Sequence, residues 1–249
     1  MIYKGEHVME YFDIHSHILP GVDDGAQTIE EAMGMIEIAY GEGTRNLVLT
    51  PHYMRGRNKC SRDELKSRFE DFQKTVREKY PDLKLYLGNE ILYEEGVEED
   101  LKAGLIQTMN DTKYVLVEFN IRISYNQIYQ AVRKLVSARY RPIIAHVERY
   151  RSLFKHTERI EELIQMEAAL QMNISSVYGG WLDDDARWCK KLVKEGYISF
   201  FGTDAHDLES RAPYVKDYLS WIRKKCGEDA IEEMFVTNPQ KMLRNEYLE

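Results

Sequence analysis

Two histidines one residue apart stand near the end of the first apolar stretch, in the segment YFDIHSH at 11–17. Side chains alternate between the two faces of a strand, so His15 and His17 are expected to point the same way. Two imidazoles on one face can bind one metal ion. An isolated H-x-H pair is more often structural than a pair of metal ligands. Further metal-binding residues elsewhere in the chain are therefore needed to support a metal site.

Metal-binding side chains recur where later strands are predicted to end. The predicted strands are 11–15, 46–51, 83–88, 114–119, 142–147, 170–175 and 197–202. At or just beyond their ends lie His15, His17, His52, Glu90, Glu118, His146, Asp204 and His206. These include five of the seven histidines, and in a parallel barrel such ends meet on one face. Nitrogen and oxygen donors in this number suit two or three Mn, Fe or Zn ions.

The elements that must position these side chains alternate along the chain. Several strands are nearly continuous apolar runs, as is typical of buried parallel strands. Thr28-x-x-Glu31 and Ser61-x-x-Glu64 are capping boxes that predict helix starts. Further helices are predicted at about 125–139, 157–168, 183–195, 211–225 and 228–236, the last ending near Asn238-Pro239. Seven strands followed by helices predict an α/β fold, a distorted seven-stranded (β/α) barrel like a TIM barrel; the alternative is a doubly wound open sheet.

Composition excludes some classes of protein. The chain has 249 residues, 43% of them hydrophobic, with a net charge of -8, which argues against a general nucleic-acid binder. No apolar run is long enough for membrane insertion, and the start lacks the apolar region of a signal peptide. Three widely spaced cysteines without a C-x-x-C pair favour the cytoplasm. We expect an extension at 1–10 followed by a single domain at 11–249.

Five segments in order resemble the PHP (polymerase and histidinol phosphatase) superfamily: DIHSH at 13–17, TPH at 50–52, GNE at 88–90, AHVER at 145–149 and TDAH at 203–206. Within it, HSHILPGVDDGA at 15–26 and AHVERY at 145–150 resemble the manganese-dependent tyrosine-protein phosphatases of bacterial capsule and exopolysaccharide clusters. The resemblance covers roughly residues 11–240 and implies the PHP fold, a distorted TIM-like barrel.

The resemblance implies three divalent ions, Mn²⁺ with Fe or Zn as alternatives. The first would be held by His15, His17, Glu90 and Asp204. The second would share Glu90 and add Glu118 and His146, and the third would use Asp24, His52 and His206. Read from the residues alone, the Asp23-Asp24-Gly25 segment looks like a turn. Arg149 and Arg211 would match the phosphate-binding arginines of the family.

A metal cluster suits hydrolysis of a phosphate monoester, with water rather than a side chain as the nucleophile. A tyrosine phenolate, with a pKa of about 10, depends little on a general acid, although His52 or His206 could donate a proton. Cysteine phosphatases need C-x5-R. The residues six positions after the three cysteines are Lys66, Glu195 and Glu232, which excludes that route.

Other functions stay open at this point: a phosphatase of the histidinol phosphate type, an amidohydrolase-like metal-dependent hydrolase, or a non-enzymatic metal-binding subunit. The predicted partner is a phosphotyrosine protein, and the family resemblance suggests the tail of a bacterial tyrosine kinase; a homo-oligomer is not excluded. The cationic segment 53–59 follows His52 and is predicted to dock this anionic tail. The acidic run 94–100 is interpreted as a solvated face.

Overall fold

In the computed structural model, which describes residues 10–180 and 182–248, parallel strands alternate with helices. Residues 1–9, and with them most of the predicted extension, lie outside the described residues. The strands are β1 (Tyr11–Asp13), β2 (Thr44–Leu49), β3 (His52–Tyr53), β4 (Lys84–Leu87), β5 (Glu90–Leu92), β6 (Tyr114–Glu118), β7 (Arg141–Ile144), β8 (Ala169–Asn173) and β9 (Phe200–Gly202).

The α-helices cover the outside of this sheet. They are α1 (Ile29–Glu42), α2 (Arg62–Lys79), α3 (Val97–Lys102), α4 (Tyr125–Ser137), α5 (Thr157–Gln165), α6 (Asp184–Lys194), α7 (Lys216–Cys226), α8 (Glu228–Glu232) and α9 (Asn238–Leu243). None of the helices in the described ranges is long and apolar enough to cross a membrane.

The strands form one curled, parallel arrangement. The order is β1-β2-β4 in one sheet and β3-β5-β6-β7-β8-β9 in the other. Only Thr50 and Pro51 separate β2 from β3, and only Gly88 and Asn89 separate β4 from β5. The first and last strands also meet, since Ser16 forms a parallel bridge with Ala205. The curled α/β sheet is confirmed, whereas nine short strands within the described residues do not confirm a count of seven.

Two capping predictions had different outcomes. Ser61 caps α2 in a complete capping box with Glu64. Thr28 caps α1 by accepting from the N–H of Glu31, but the Glu31 carboxylate accepts from Gln27 instead of from Thr28. The prediction of a full box at Thr28 is therefore wrong by one residue.

The C-terminal helices differ most from the prediction. The helix predicted from 211 begins at Lys216, because the side chain of Asp207 accepts from the backbone N–H of Arg211 and holds a turn there. The predicted end near Asn238-Pro239 is wrong. A π-helical segment, Glu233–Thr237, leads directly into α9. Pro239 is tolerated there because it lies in the first turn of α9, where a backbone N–H has no partner within the helix.

The acidic run 94–100 is only partly solvated, contrary to its interpretation from sequence. It includes most of α3, in which Glu98 and Asp100 are buried. Glu98 accepts a hydrogen bond from the hydroxyl of Tyr93, and Asp100 accepts one from the hydroxyl of Tyr53. These bonds attach α3 to the strand ends near the predicted site.

Candidate metal centre

Four buried side chains converge at the carboxyl ends of β1 and β9 and the start of β5. The Nε2 atoms of His15 and His17 lie 3.2 Å apart, and Oε2 of Glu90 lies 3.2 Å from each of them. Oδ1 of Asp204 lies 3.5 Å from the same two nitrogens. The four predicted ligands of the first metal therefore surround one point, and together they could hold an ion.

The protons of the two imidazoles support this interpretation. Nδ1 of His17 lies 2.6 Å from Oδ2 of Asp23, an acceptor, so the proton of His17 sits on Nδ1. Nδ1 of His15 faces the amide oxygen of Gln171 at 3.1 Å. Both Nε2 atoms then face Oε2 of Glu90 and Oδ1 of Asp204 around one point, where a cation would satisfy all four atoms. The donor set therefore fits a metal ion.

A second ligand group shares Glu90. Oε1 of Glu90 lies 2.7 Å from Nε2 of His146, which lies 3.8 Å from Oε2 of Glu118. His52 also approaches this group, with Nδ1 3.1 Å from Glu90 and 3.3 Å from Glu118. Within the described residues, Nδ1 of His52 and Oε2 of Glu90 are buried atoms without a hydrogen-bond partner. An ion would satisfy both.

The third group lies nearest to solvent. Oδ1 of Asp24 lies 3.3 Å from Nε2 of His52 and 3.6 Å from Nε2 of His206. Asp24 is 67% exposed, unlike the ligands of the first group. His17 also belongs to this cluster, so it joins the third group to the first. The group around Glu90 contains His52 and Glu118, whereas the predicted ligand His146 reaches it through its contact with Glu90.

Arg149 and Arg211 both form ion pairs with Oδ2 of Asp204, the carboxylate oxygen that faces away from His15 and His17. Their Nη2 atoms lie 2.6 Å and 2.8 Å from Oδ2 of Asp204. Each arginine remains more than one-third exposed, so it has donors left for an anion beside the metal ligands. One carboxylate thus joins the ligand cluster to both predicted phosphate-binding residues.

Electrostatics keep the carboxylates charged. Burial alone would raise the pKa of Glu90, but His15 and the hydrogen bond from His146 hold it well below its usual range. Burial likewise opposes ionisation of Asp23, yet its hydrogen bond with His17 lowers the pKa of Asp23 to about 2. Burial and the neighbouring His17 lower the pKa of His206 to about 4. This shift favours the neutral imidazole, which is the form that binds a metal ion.

Sequence reasoning missed several supporting residues. Asp23 was interpreted only as part of a turn, and it does accept from the N–H of Gly25, but it also orients His17. Tyr150 is buried with its hydroxyl 3.5 Å from Nδ1 of His146. Gln171 contacts His15. Asp23 could have been found from its position beside a predicted ligand, whereas an interior tyrosine or glutamine gives no comparable signal.

Gly202 must lack a side chain for the first ligand group to form. A Cβ atom there would lie 2.6 Å from Cβ of His15 and 3.2 Å from Nε2 of Gln171. We expect Gly202→Ala to destabilise the protein by about 1–3 kcal/mol because neither neighbour can move freely. Thermal unfolding measures this. The matched control is Gly41→Ala in α1, where a Cβ meets nothing within 4 Å and should stabilise by roughly 0.4–1 kcal/mol. A Gly202→Ala protein as stable as the wild type would contradict the crowding.

The chain matches a known protein family over almost its whole length. The family model described as capsular polysaccharide synthesis, CpsB/CapC, matches residues 11–244. The tyrosine-protein phosphatase CpsB of Streptococcus agalactiae serotype V is 32% identical over 241 residues, which cover 95% of this chain and 99% of that protein. The tyrosine-protein phosphatase YwqE of Bacillus subtilis strain 168 is 30% identical over 234 residues, which cover 94% and 92%.

Solved structures agree with these matches. A chain from the crystal structures of YwqE from Bacillus subtilis and CpsB from Streptococcus pneumoniae, described as unique metal-dependent tyrosine phosphatases, superposes with a TM-score of 0.87 at 29% identity, covering 96% of both chains. The phosphotriesterase homology protein of Escherichia coli shares the fold alone, with a TM-score of 0.62 at 12% identity. The resemblance found in the sequence is confirmed: the chain belongs to the CpsB/CapC family.

Proposed function

We propose that this protein is a metal-dependent phosphatase that hydrolyses phosphotyrosine in proteins. The observation that supports it best is the joining of three ligand groups to two arginines through Asp204. Bound ions on one side and the two guanidinium groups on the other would then place positive charge on two sides of one small space. A phosphate monoester dianion needs such charge on several oxygens at once. The named activity of the CpsB and YwqE relatives agrees with this chemistry.

The site residues fall into two groups, those that would hold the ions and those that would bind phosphate. Divalent ions, when bound, neutralise phosphate oxygens and lower the pKa of a water. His15, His17, Glu90 and Asp204 would hold the first ion; Glu90, Glu118 and His146 the second; Asp24, His52 and His206 the third. Arg149 and Arg211 would bind the remaining phosphate oxygens. A phenolate leaves readily at a pKa of about 10, so protonation by a side chain such as His52 is dispensable.

The proposal also specifies the metal, the domain and the substrate. The ions are Mn²⁺, and three are bound. Residues 11–249 form one domain, in which β2 with β3 and β4 with β5 are each one interrupted strand of a seven-stranded barrel. The substrate is the phosphorylated tail of a bacterial tyrosine kinase that regulates capsule or exopolysaccharide synthesis.

The competing functions make different predictions. An amidohydrolase-like site usually has a bridging lysine at its fourth strand, where this chain places Glu118 at the end of β6. A phosphatase of the histidinol phosphate type would use the same metals with another substrate. The test is the manganese-loaded protein assayed on a phosphotyrosine peptide and on histidinol phosphate. We expect the higher kcat/KM for the peptide; a preference for histidinol phosphate would replace the proposal with that alternative.

The arginines give a sharper prediction. Arg149→Ala or Arg211→Ala should raise KM for phosphotyrosine about 10-fold to 100-fold, the equivalent of one charge-assisted hydrogen bond, with metal content unchanged. Steady-state kinetics and metal analysis measure both quantities. Arg151→Ala is the matched control, because Arg151 is exposed and pairs with Asp185. Unchanged KM in both site variants would refute the phosphate-binding role.

The docking role of segment 53–59 stays a prediction. Its cations already have partners: Arg55 pairs with Asp100, Arg57 with Glu94, and Lys59 donates to the backbone oxygen of Asp23. A cavity of about 520 Å³ is lined both by this segment, through Arg57 and Lys59, and by the ligands Asp24 and His52. Since exposed ion pairs are weak, an acidic peptide could compete for these cations.

The test of docking is the triple variant in which Arg55, Arg57 and Lys59 become alanine. We expect a salt-sensitive loss of kcat/KM for an acidic phosphopeptide and none for a small aryl phosphate, because only the peptide reaches the segment. Equal losses on both substrates would show a structural defect instead of a docking role.

A further inference from the structure

The end of β8, which supplied no predicted metal ligand, places two buried amides behind the ligands. Oε1 of Gln171 lies 2.8 Å from the backbone nitrogen of His146 and 3.1 Å from Nδ1 of His15. Nε2 of Gln171 donates to Oδ1 of Asn173 over 3.0 Å. Nδ2 of Asn173 donates to Oδ2 of Asp204 over 2.9 Å. Gln171 and Asn173 thus form a continuous chain of hydrogen bonds between ligand residues.

The two ends of this chain fix its direction. The backbone N–H of His146 can only donate, and the ionised carboxylate of Asp204 can only accept. Each amide therefore has one allowed orientation, with Oε1 of Gln171 toward His146. Because that oxygen can only accept, its contact with Nδ1 of His15 at 3.1 Å places a proton of His15 on Nδ1. Nε2 of His15 is then left with a free lone pair, directed at the first ligand group.

The hydrogen bonds from Gln171 and Asn173 reach two residues with strained backbones. His146 and Asp204 both adopt left-handed backbone conformations, with φ angles of 32° and 54°. Such conformations are costly for residues other than glycine and persist where surrounding contacts enforce them. Gln171 holds the strained residue His146 through its backbone N–H, and Asn173 holds the side chain of the strained residue Asp204.

We propose that Gln171 and Asn173 are positioning residues for the metal centre, holding His15 in its metal-binding tautomer and Asp204 in its metal-facing rotamer. This inference rests on the proposed metal centre and not on the identity of the substrate. Hydrogen-bond partners of metal ligands commonly change metal affinity 10-fold to 100-fold when removed. Gln171 additionally connects two ligand groups, because His15 belongs to the first and His146 to the second.

The test uses Gln171→Met and Asn173→Leu, which keep the side-chain size and remove the hydrogen bonds. Mn²⁺ binding to the metal-stripped proteins is measured by calorimetry and metal analysis. We expect Gln171→Met to bind at least one ion about 10-fold to 100-fold more weakly. The loss for Asn173→Leu should lie near the lower end of this range, about 10-fold, because Arg149 and Arg211 also hold Oδ2 of Asp204. The double variant should lose less affinity than the product of the two single losses, because each substitution also removes the bond between the two amides.

Gln107→Met is the matched control. Gln107 is also a buried amide, bonded to Thr108 and Asp111 instead of to ligands. We expect it to lower thermal stability while Mn²⁺ affinity stays at the wild-type value. If Gln171→Met does not fold, Asn173→Leu decides alone, since it leaves both bonds accepted by Gln171 intact.

The outcomes separate the two proposals. Wild-type affinity in the folded Gln171 and Asn173 variants would overturn the positioning role and leave the metal centre standing. Fully additive losses would overturn the continuous chain. A wild-type protein that binds no Mn²⁺ would overturn the metal centre and, with it, the positioning role.

Discussion

Chelation of divalent ions should lower kcat/KM for phosphotyrosine at least about a thousandfold, and added Mn²⁺ should restore it. The ions are expected to supply several kcal/mol of transition-state stabilisation, and each 1.36 kcal/mol corresponds to a tenfold change in rate. The histidines and carboxylates of the described ligand groups would be occupied in holding the ions, so water is the expected nucleophile. The measurement is steady-state kinetics before chelation, after it and after readdition of manganese.

The three cysteines provide the control for this experiment. Burial raises the pKa of Cys189 to about 12, and burial also raises the pKa of Cys60 and of Cys226. None of the three is therefore a ready thiolate at neutral pH. Replacing each with serine should leave kcat/KM unchanged. Activity that survives exhaustive chelation, or is lost in a stable cysteine variant, would contradict metal-dependent hydrolysis.

Ligands were predictable where side-chain type, spacing and strand position agreed. The period of two in a strand predicted that His15 and His17 share one face, and their Nε2 atoms do meet, although β1 already ends at Asp13. Parallel strands then brought residues as distant as Glu90 and Asp204 to the same edge, where the structure puts them within reach of both histidines. Asp24 could not be assigned from its residues alone, since an aspartate in an Asp-Asp-Gly segment also fits a turn.

Contacts between distant neutral side chains could not be predicted. Gln171 and Asn173 have no charge or metal-binding chemistry to mark them, and their importance depends on which atoms β8 places behind His15. The partners of segment 53–59 were missed for a similar reason. Arg57 and its partner Glu94 are 37 residues apart, so the sequence displays a cationic segment whose charge the fold largely neutralises.

Predictions of helix ends and of exposure were wrong where contacts between distant residues outweighed the local sequence pattern. Asn238-Pro239 resembles a helix end in isolation, yet the amide of Asn238 donates to the backbone oxygen of Ser199 and anchors the start of α9. Glu98 in the acidic run is likewise buried because the hydroxyl of Tyr93 provides a hydrogen-bond partner. Local composition does not contain either contact.

Asp204→Asn should produce the largest effect of any single isosteric substitution. Oδ1 of Asp204 faces His15 and His17, while Oδ2 accepts from Arg149, Arg211 and Asn173. An asparagine has one oxygen and one NH₂ group. If its oxygen faces the metal, the NH₂ group meets three donors; if it is reversed, the NH₂ group meets the metal. One orientation therefore loses the contacts with the arginines and Asn173, and the other loses the contact with the metal.

We therefore expect Asp204→Asn to lower kcat/KM about a thousandfold or more, to weaken Mn²⁺ binding and to abolish the dependence of KM on Arg149 and Arg211. Kinetics of the single and double variants, with metal analysis, measure all three. Asp71→Asn is the matched control, because Asp71 is exposed and pairs with Lys74 on the surface of α2. If Arg149→Ala raises KM equally in wild-type and Asp204→Asn backgrounds, the arginines bind phosphate without Asp204, and the carboxylate serves the metal alone.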